Sequence, residues 1–284
     1  MHHTRKTNSD PVNALLRGLI AVSLGAVLLA AALFLLIPRR STGGSTLIQF
    51  PAETGPQTTQ PRNPYGPEDF EYEGDYLACN AGSAVLGVDV SSHQGEIDWE
   101  QVRSAGMEFA IIRIGYRGYT SGGIYGDEYA RANLEGARAA GLKVGVYFYS
   151  QALDEGEARR EARYCLDFLD GEAIDLPVVF DWEYAGEDTR SGEMTHDALM
   201  ACTRAFCQEV EDAGYRAMIY FNPHIAEDLL TLEELQEYPF WLAMYTDQMT
   251  WPWEVEMWQY TATGSVPGIQ GDADINLWFV TESQ

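Results

Sequence analysis

The sequence predicts an α/β fold: a closed barrel of mostly parallel strands with an incomplete ring of helices, preceded by a transmembrane helix and an irregular linker. Three observations predict it. From Ala81 onward, short β-rich runs alternate with helical segments, and many of the joints carry Gly or Pro. Repeated strand–helix units of this kind build a parallel sheet with right-handed crossovers. About eight strands fit into about 200 residues, which suits a closed barrel. An open doubly wound sheet is the alternative, and no glycine fingerprint for a dinucleotide or phosphate loop supports it.

The elements follow in chain order. Residues 1–17 are expected to be a cytoplasmic N-terminus. Gly18 to Ile37 is an uncharged apolar run whose helical length of about 30 Å matches a bilayer core. Pro38, Arg39 and Arg40 follow it in place of a small-residue cleavage site, so the run is expected to be an uncleaved anchor. Arg5, Lys6 and Arg17 precede the span, which places the N-terminus inside and residues 41 onward outside the cell. Residues 38–80 are rich in Pro, Gly, Thr and Gln without apolar periodicity, and read as a disordered linker. Residues 81–284 are the barrel domain.

Strands are expected at Val85–Val90, Phe109–Ile114, Lys143–Tyr149, Pro177–Phe180, Arg216–Tyr220, Phe240–Ala243, Val255–Gln259 and Ala273–Phe279. Helices are expected near Trp99–Ala105, Glu128–Ala140, Glu155–Leu169, His196–Ala213 and Ile225–Glu237. The fourth is the clearest: Thr195 caps it, Leu199, Cys202, Phe206 and Val210 recur at helical spacing, and Gly214 stops it.

Composition narrows the function classes. The 284 residues are 46% apolar, enough for a substantial core, and include 16 Tyr and 7 Trp. A net charge of -25 argues against nucleic acid, because phosphate binding needs a basic surface. Cys165 and Cys202 lie on apolar helix faces and read as buried thiols. Cys79 precedes the first strand and has an exterior location open to pairing, while Cys202 and Cys207 point to different sides of one helix. No Cys/His spacing suggests a metal site.

In a barrel of this kind, side chains at the C-terminal ends of the strands converge on one mouth. Those positions hold Asp89; Tyr147 and Tyr149; Asp181 and Glu183; Tyr220 and Asn222; Tyr245; Trp258, Gln259 and Tyr260; and Asp274. Asp181 and Glu183 are two apart on an extended segment, so both point to one face. Two close carboxylates raise one pKa, because the second ionisation costs more than the first. A carboxyl kept protonated near neutrality is what a general acid requires, and glycoside cleavage needs such an acid and no metal or organic cofactor. Aromatic rings around the mouth suit the apolar faces of sugars. His93 is either a substrate contact or a capping residue for the loop after the first strand.

The ordered segments GVDVSSHQGEIDW, FAIIRIGYRGYTSGG, AGLKVGVYFYSQA, LPVVFDWE, WLAMY and MWQYTATGSVPGIQGDADIN resemble the motifs of glycoside hydrolase family 25, the Chalaropsis-type lysozymes. The resemblance covers about Leu86 to Phe279. It implies a TIM-like flattened (β/α)5β3 barrel and a muramidase hydrolysing the β-1,4 bond between N-acetylmuramic acid and N-acetylglucosamine in peptidoglycan. It further implies that Glu183 is the proton donor, with Asp181 its companion, which in one proposed mechanism steadies the substrate's acetamido group as internal nucleophile. Asp89 and Asp274 match the other two acids of the site, Asp274 through DADIN, with Asp272 two residues before it. Phe148 stands where many relatives have His. The family's proposed mechanisms disagree, so the nucleophile stays open.

The expected working form is a monomeric lysozyme, single-pass in the cell membrane, with its barrel on the wall side and peptidoglycan strands as its partner. A noncatalytic wall-binding protein would be expected to lack an acid from the site. A glycosidase acting on another N-acetylated glycan such as chitin would carry a longer acidic motif.

Overall fold

The computed structural model describes residues 59–280. The expected span 18–37 and the linker as far as residue 58 lie outside them. Among the described residues no helix is long and apolar enough to cross a membrane.

The described strands are β1 (Phe70–Glu73), β2 (Tyr76–Cys79), β3 (Ala84–Val90), β4 (Phe109–Arg117), β5 (Ile124–Gly126), β6 (Lys143–Ser150), β7 (Val178–Trp182), β8 (Ala217–Phe221), β9 (Phe240–Ala243), β10 (Met257–Gly264) and β11 (Ala273–Phe279). β1 and β2 form a separate hairpin, and β5 extends β4. The other eight close a barrel in the order β3, β4, β6, β7, β8, β9, β10, β11, with β11 returning to β3. All neighbours are parallel except β11, which runs antiparallel to both β10 and β3. The helices are α1 (Trp99–Ser104), α2 (Ala130–Ala139), α3 (Glu155–Leu169), α4 (His196–Asp212) and α5 (Pro223–Asp228). Each connects successive barrel strands up to β9, and none follows. Five strand–helix units and three further strands are the architecture the sequence predicted.

Local chemistry accounts for the boundaries. Asp98, Asp154, Thr195 and Asn222 cap the starts of α1, α3, α4 and α5 by accepting a backbone N–H. Gly214, with φ +88°, ends α4 as expected. The expected helix 225–237 is shorter, ending at Asp228, with a 3-10 turn at Leu232–Leu235 beyond it. Leu230, Leu232 and Leu235 are all buried. Residues two apart on an α-helix face different sides, so breaking the helix lets all three turn inward.

Period-two alternation sorts the barrel side chains into two layers. Phe109, Ile111, Val179, Met218, Trp241 and Trp278 fill the inside. Val88, Ala110, Ile112, Val178, Phe180 and Ile219 face outward under the helices. The interior is crowded enough to need glycine: a Cβ on Gly87 would lie 2.4 Å from the Phe109 ring. Cys165, Cys202 and Cys207 are buried, and all four cysteines are free thiols.

Residues 59–80, expected as linker, instead fold against the barrel. Glu254 donates its N–H to Pro61 O, and Asn63 donates to Pro252 O. The Arg62 guanidinium lies 4.5 Å from the Trp253 ring. In the β1–β2 hairpin, Phe70 meets the edges of Trp258 and Phe279, and Tyr65 stacks on Phe279 at 4.8 Å. Leu77 is wholly buried and donates its N–H to the Tyr260 hydroxyl at 3.3 Å. The hairpin thus covers the outer face of β10 and β11, the sector that has no helix. A composition rich in Pro and Gly concealed these apolar anchors.

Leu77→Ala should therefore cost about 2–5 kcal/mol of stability, read from urea unfolding of the whole protein. An unchanged unfolding midpoint would show that the segment is only a tether.

Candidate active site

The strands place Asp89, Asp181, Glu183 and Asp274 at the C-terminal mouth of the barrel. Asp274 sits directly across from Asp89 in the β11–β3 register. Asp181 lies in a rung between Tyr149 on β6 and Tyr220 on β8. Glu183, two residues on, faces the same side and is half-buried.

Asp89 is 5% exposed and is held by two amides: Gln259 Nε2 and Asn276 Nδ2 donate to its Oδ2 at 2.7 and 2.8 Å. Burial raises its pKa to about 6, with the two hydrogen bonds pulling the other way, so it is ionised at neutral pH. Each amide is itself oriented. Gln259 Oε1 accepts from the Tyr220 and Tyr245 hydroxyls at 3.2 and 3.0 Å, and Asn276 Oδ1 accepts from Trp241 Nε1 at 2.8 Å.

The other three acids are pushed upward. Burial, then the charge of Asp89, raises Glu183 to about 7. Asp274 is raised to about 9 by burial, Asp89 and Glu183. Asp181 is raised well above the carboxylate range, chiefly by burial and then by Glu183 and Asp89, while Arg113 opposes the shift. Its Oδ1 is buried with no hydrogen-bond partner among the described residues. The empty site thus holds its protons on Asp181 and Asp274, with Glu183 titrating near neutrality beside an ionised Asp89.

Several residues of the mouth escaped the sequence reading. Arg113 donates Nε to Asp127 Oδ2 at 2.9 Å and Nη2 to Ser92 Oγ at 3.1 Å, bringing a positive charge among the acids. A bulge in β4 after Arg113 shifts its register on β6. Tyr116 thereby turns to the same side, its ring 5.4 Å from the Arg113 guanidinium. Asn276 was legible as the next inward position after Asp274, whereas the bulge left no signal.

Tyr147, Tyr149 and Tyr220 line the interior side of the mouth as expected, and Tyr245 stands at the rim, 61% exposed. His93 is exposed on the 3-10 turn Ser92–Gln94 that follows β3. Asn222 is spent on capping α5. Trp258 is not at the site. It is fully buried on the outer face, its Nε1 donates to Met244 O at 2.8 Å, and its ring packs on Phe70 and Tyr260. Strand alternation forbids Trp258 and Gln259 from sharing a face, and Gln259 takes the inner one.

With this geometry, comparison with known proteins is informative. Residues 88–269 match the model described as glycosyl hydrolases family 25. The chain is 28% identical over 194 residues to an autolytic lysozyme from Clostridium acetobutylicum, across 68% of this chain and 55% of that protein. It is 30% identical over 213 residues to lysozyme M1 of Streptomyces globisporus, across 68% of this chain and 67% of that one. A solved structure of the modular autolysin LytC from Streptococcus pneumoniae in complex with synthetic peptidoglycan ligand matches with a TM-score of 0.60 and 26% identity. That match covers 69% of this chain and 47% of the autolysin. The chain spans about half the length of the autolytic lysozyme and of the autolysin.

The raised carboxyls carry a stability consequence. Asp181 keeps its proton in the folded state at a pH where the unfolded chain has lost it. Its contribution is therefore full below the unfolded pKa of about 4 and is lost as pH rises toward the folded one. Asp181→Asn should melt higher than the parent at pH 8, with the gap closing on acidification to about pH 4. A parent that melts higher at pH 8 would contradict the raised pKa.

Proposed function

The chain belongs to glycosyl hydrolases family 25, and on that premise we propose that it is a muramidase cleaving the β-1,4 bond between N-acetylmuramic acid and N-acetylglucosamine in peptidoglycan. The observation that carries this reading is the division of charge at the mouth: Asp89 held ionised by two amides, and Glu183 beside it raised to about 7. An acid of that pKa retains its proton near neutrality and still releases it readily, the compromise general acid catalysis needs.

Glu183 protonates the leaving oxygen as the glycosidic bond breaks. Asp181 has an oxygen without a partner among the described residues, so that atom is left to meet the substrate. Positive charge developing on the sugar ring favours loss of the Asp181 proton to solvent water, and the carboxylate so formed stabilises either the ring or the acetamido group that attacks it. A water then completes the hydrolysis at the anomeric carbon, and its proton restores Glu183. Asp89 sets the field, and Asp274 across from it lines the same wall. Tyr147, Tyr149, Tyr220 and Tyr245 give the sugars aromatic faces and hydroxyls to rest on. Support from relatives lies in two curated lysozymes and in the autolysin solved with a synthetic peptidoglycan ligand.

We further propose that the apolar run Gly18 to Ile37 anchors the chain in the cell membrane with the barrel on the wall side, so that a monomer works on nearby wall strands. An uncharged run of bilayer length followed by Arg39 and Arg40 supports this arrangement.

Replacing Glu183 by Gln should abolish release of new reducing ends from purified peptidoglycan while leaving the melting temperature close to the parent's. Undiminished release would overturn the acid's assignment. Mass spectrometry of the parent's fragments should show muramic acid at the new reducing ends, and glucosamine there would contradict the bond proposed.

A further inference from the structure

Glu183 stands one residue beyond the last rung of the β6–β7 ladder, which ends with Ser150 against Trp182. The ladder therefore does not reach its carbonyl. Gln151 does: its Nε2 donates to Glu183 O at 2.7 Å and to Ser150 O at 2.9 Å. Gln151 has no exposed surface. The two carbonyls dictate which way the amide points, because a flipped amide would set oxygen against oxygen. Its Oε1 is consequently left buried with no partner among the described residues. A buried acceptor left unmet is destabilising, so fold stability alone does not favour an amide here.

Gln151 is braced in turn from both sides. Arg190, which pairs with Glu157, donates Nε to Gln151 O at 3.4 Å and its backbone N–H to Tyr119 O at 2.9 Å. On the other side Ser150 Oγ donates to Glu161 at 2.6 Å, and Arg117 pairs with the same carboxylate at 2.6 Å. The chain just after Glu183 is closed on itself by Ala185 N donating to the buried Ser191 Oγ at 2.8 Å. Gln151 thus bonds the Glu183 carbonyl, and Arg190 links Gln151 in turn to Tyr119 and Glu157.

We propose that Gln151 is a positioning residue that carries the sheet one rung further and fixes the backbone of Glu183 at the mouth. This rests on the reading of Glu183 as the acid. Gln151 touches no reacting atom; it acts by removing the freedom of the peptide bearing the one that does. Misplacement of a catalytic group by about an ångström is sufficient to cost orders of magnitude in rate.

The test is Gln151→Met, which keeps length and apolar volume and removes the amide. It should lower kcat by about tenfold to a hundredfold with KM nearly unchanged. It should also move the Glu183 carboxyl titration, followed by carbon NMR, down toward an ordinary glutamate, because the released segment admits water. Gln151→Asn retains an amide but is one methylene too short, and should show the same two changes; it carries the test if the Met variant does not fold. A kcat and a Glu183 midpoint both equal to the parent's would overturn the proposal. So would a rate loss matched by a lower melting temperature with the midpoint unmoved, which marks a purely structural role. An inactive parent, or an active Glu183→Gln variant, would instead sink the reading of the acid, and the titration comparison would still decide Gln151.

Discussion

A single buried carboxylate organises the mouth of this barrel. Asp89 can remain charged at 5% exposure because two amides donate to it, and those amides can do so because each is oriented elsewhere. Trp241 fixes Asn276, and the Tyr220 and Tyr245 hydroxyls fix Gln259. One charge therefore ties β3 to β8, β9, β10 and β11 through side chains alone. Remove it, and both amide N–H donors lose their acceptor. Its field also reaches Glu183, where it adds to burial in keeping a proton in place.

The rest of the fold serves to make that arrangement rigid. Five helices cover the outer face of the parallel strands, and the sector at β10 and β11 is left bare. The β1–β2 hairpin covers it, with Phe70 and Leu77 supplying apolar surface that a helix supplies elsewhere. Trp258, packed beneath the hairpin, belongs to this outer layer and holds Gln259 to the inner one. The chain leading into the barrel is therefore part of its wall, and its removal would loosen the strand that carries the Asp89 clamp.

Much of this was legible in the sequence. The alternation of strand and helix, the cap at Thr195 and the stop at Gly214 are local signals, and α3, β9 and β11 fall where they were expected. The four acids were legible because they stand at strand ends and because the motifs resemble a known family. What was missed is long-range. Residues 59–80 fold because Phe70, Leu77 and Tyr65 meet β10 and β11, 183 to 214 residues away in the chain, and composition holds no record of that. Trp258 stands at the same strand end as Gln259, and only strand parity separates the outer residue from the inner one. Arg113 and Tyr116 share a face only through a bulge. Gln151 looks like an ordinary loop residue until the end of the ladder next to it is seen.

The four carboxyls are thus unequal by construction: Asp89 is hydrogen-bonded and charged, Asp181 has a buried oxygen without a partner among the described residues, Asp274 is raised to about 9, and Glu183 titrates between Asp89 and Asp274. The account depends most on the link from the first to the last. Titration of the Glu183 carboxyl by carbon NMR in the parent and in Asp89→Asn tests it directly. The parent should titrate near 7, and the variant should titrate lower, while burial still holds it above the ordinary glutamate value of about 4.3. A midpoint near 7 in both would show that Asp89 does not set the acid, and would contradict the account.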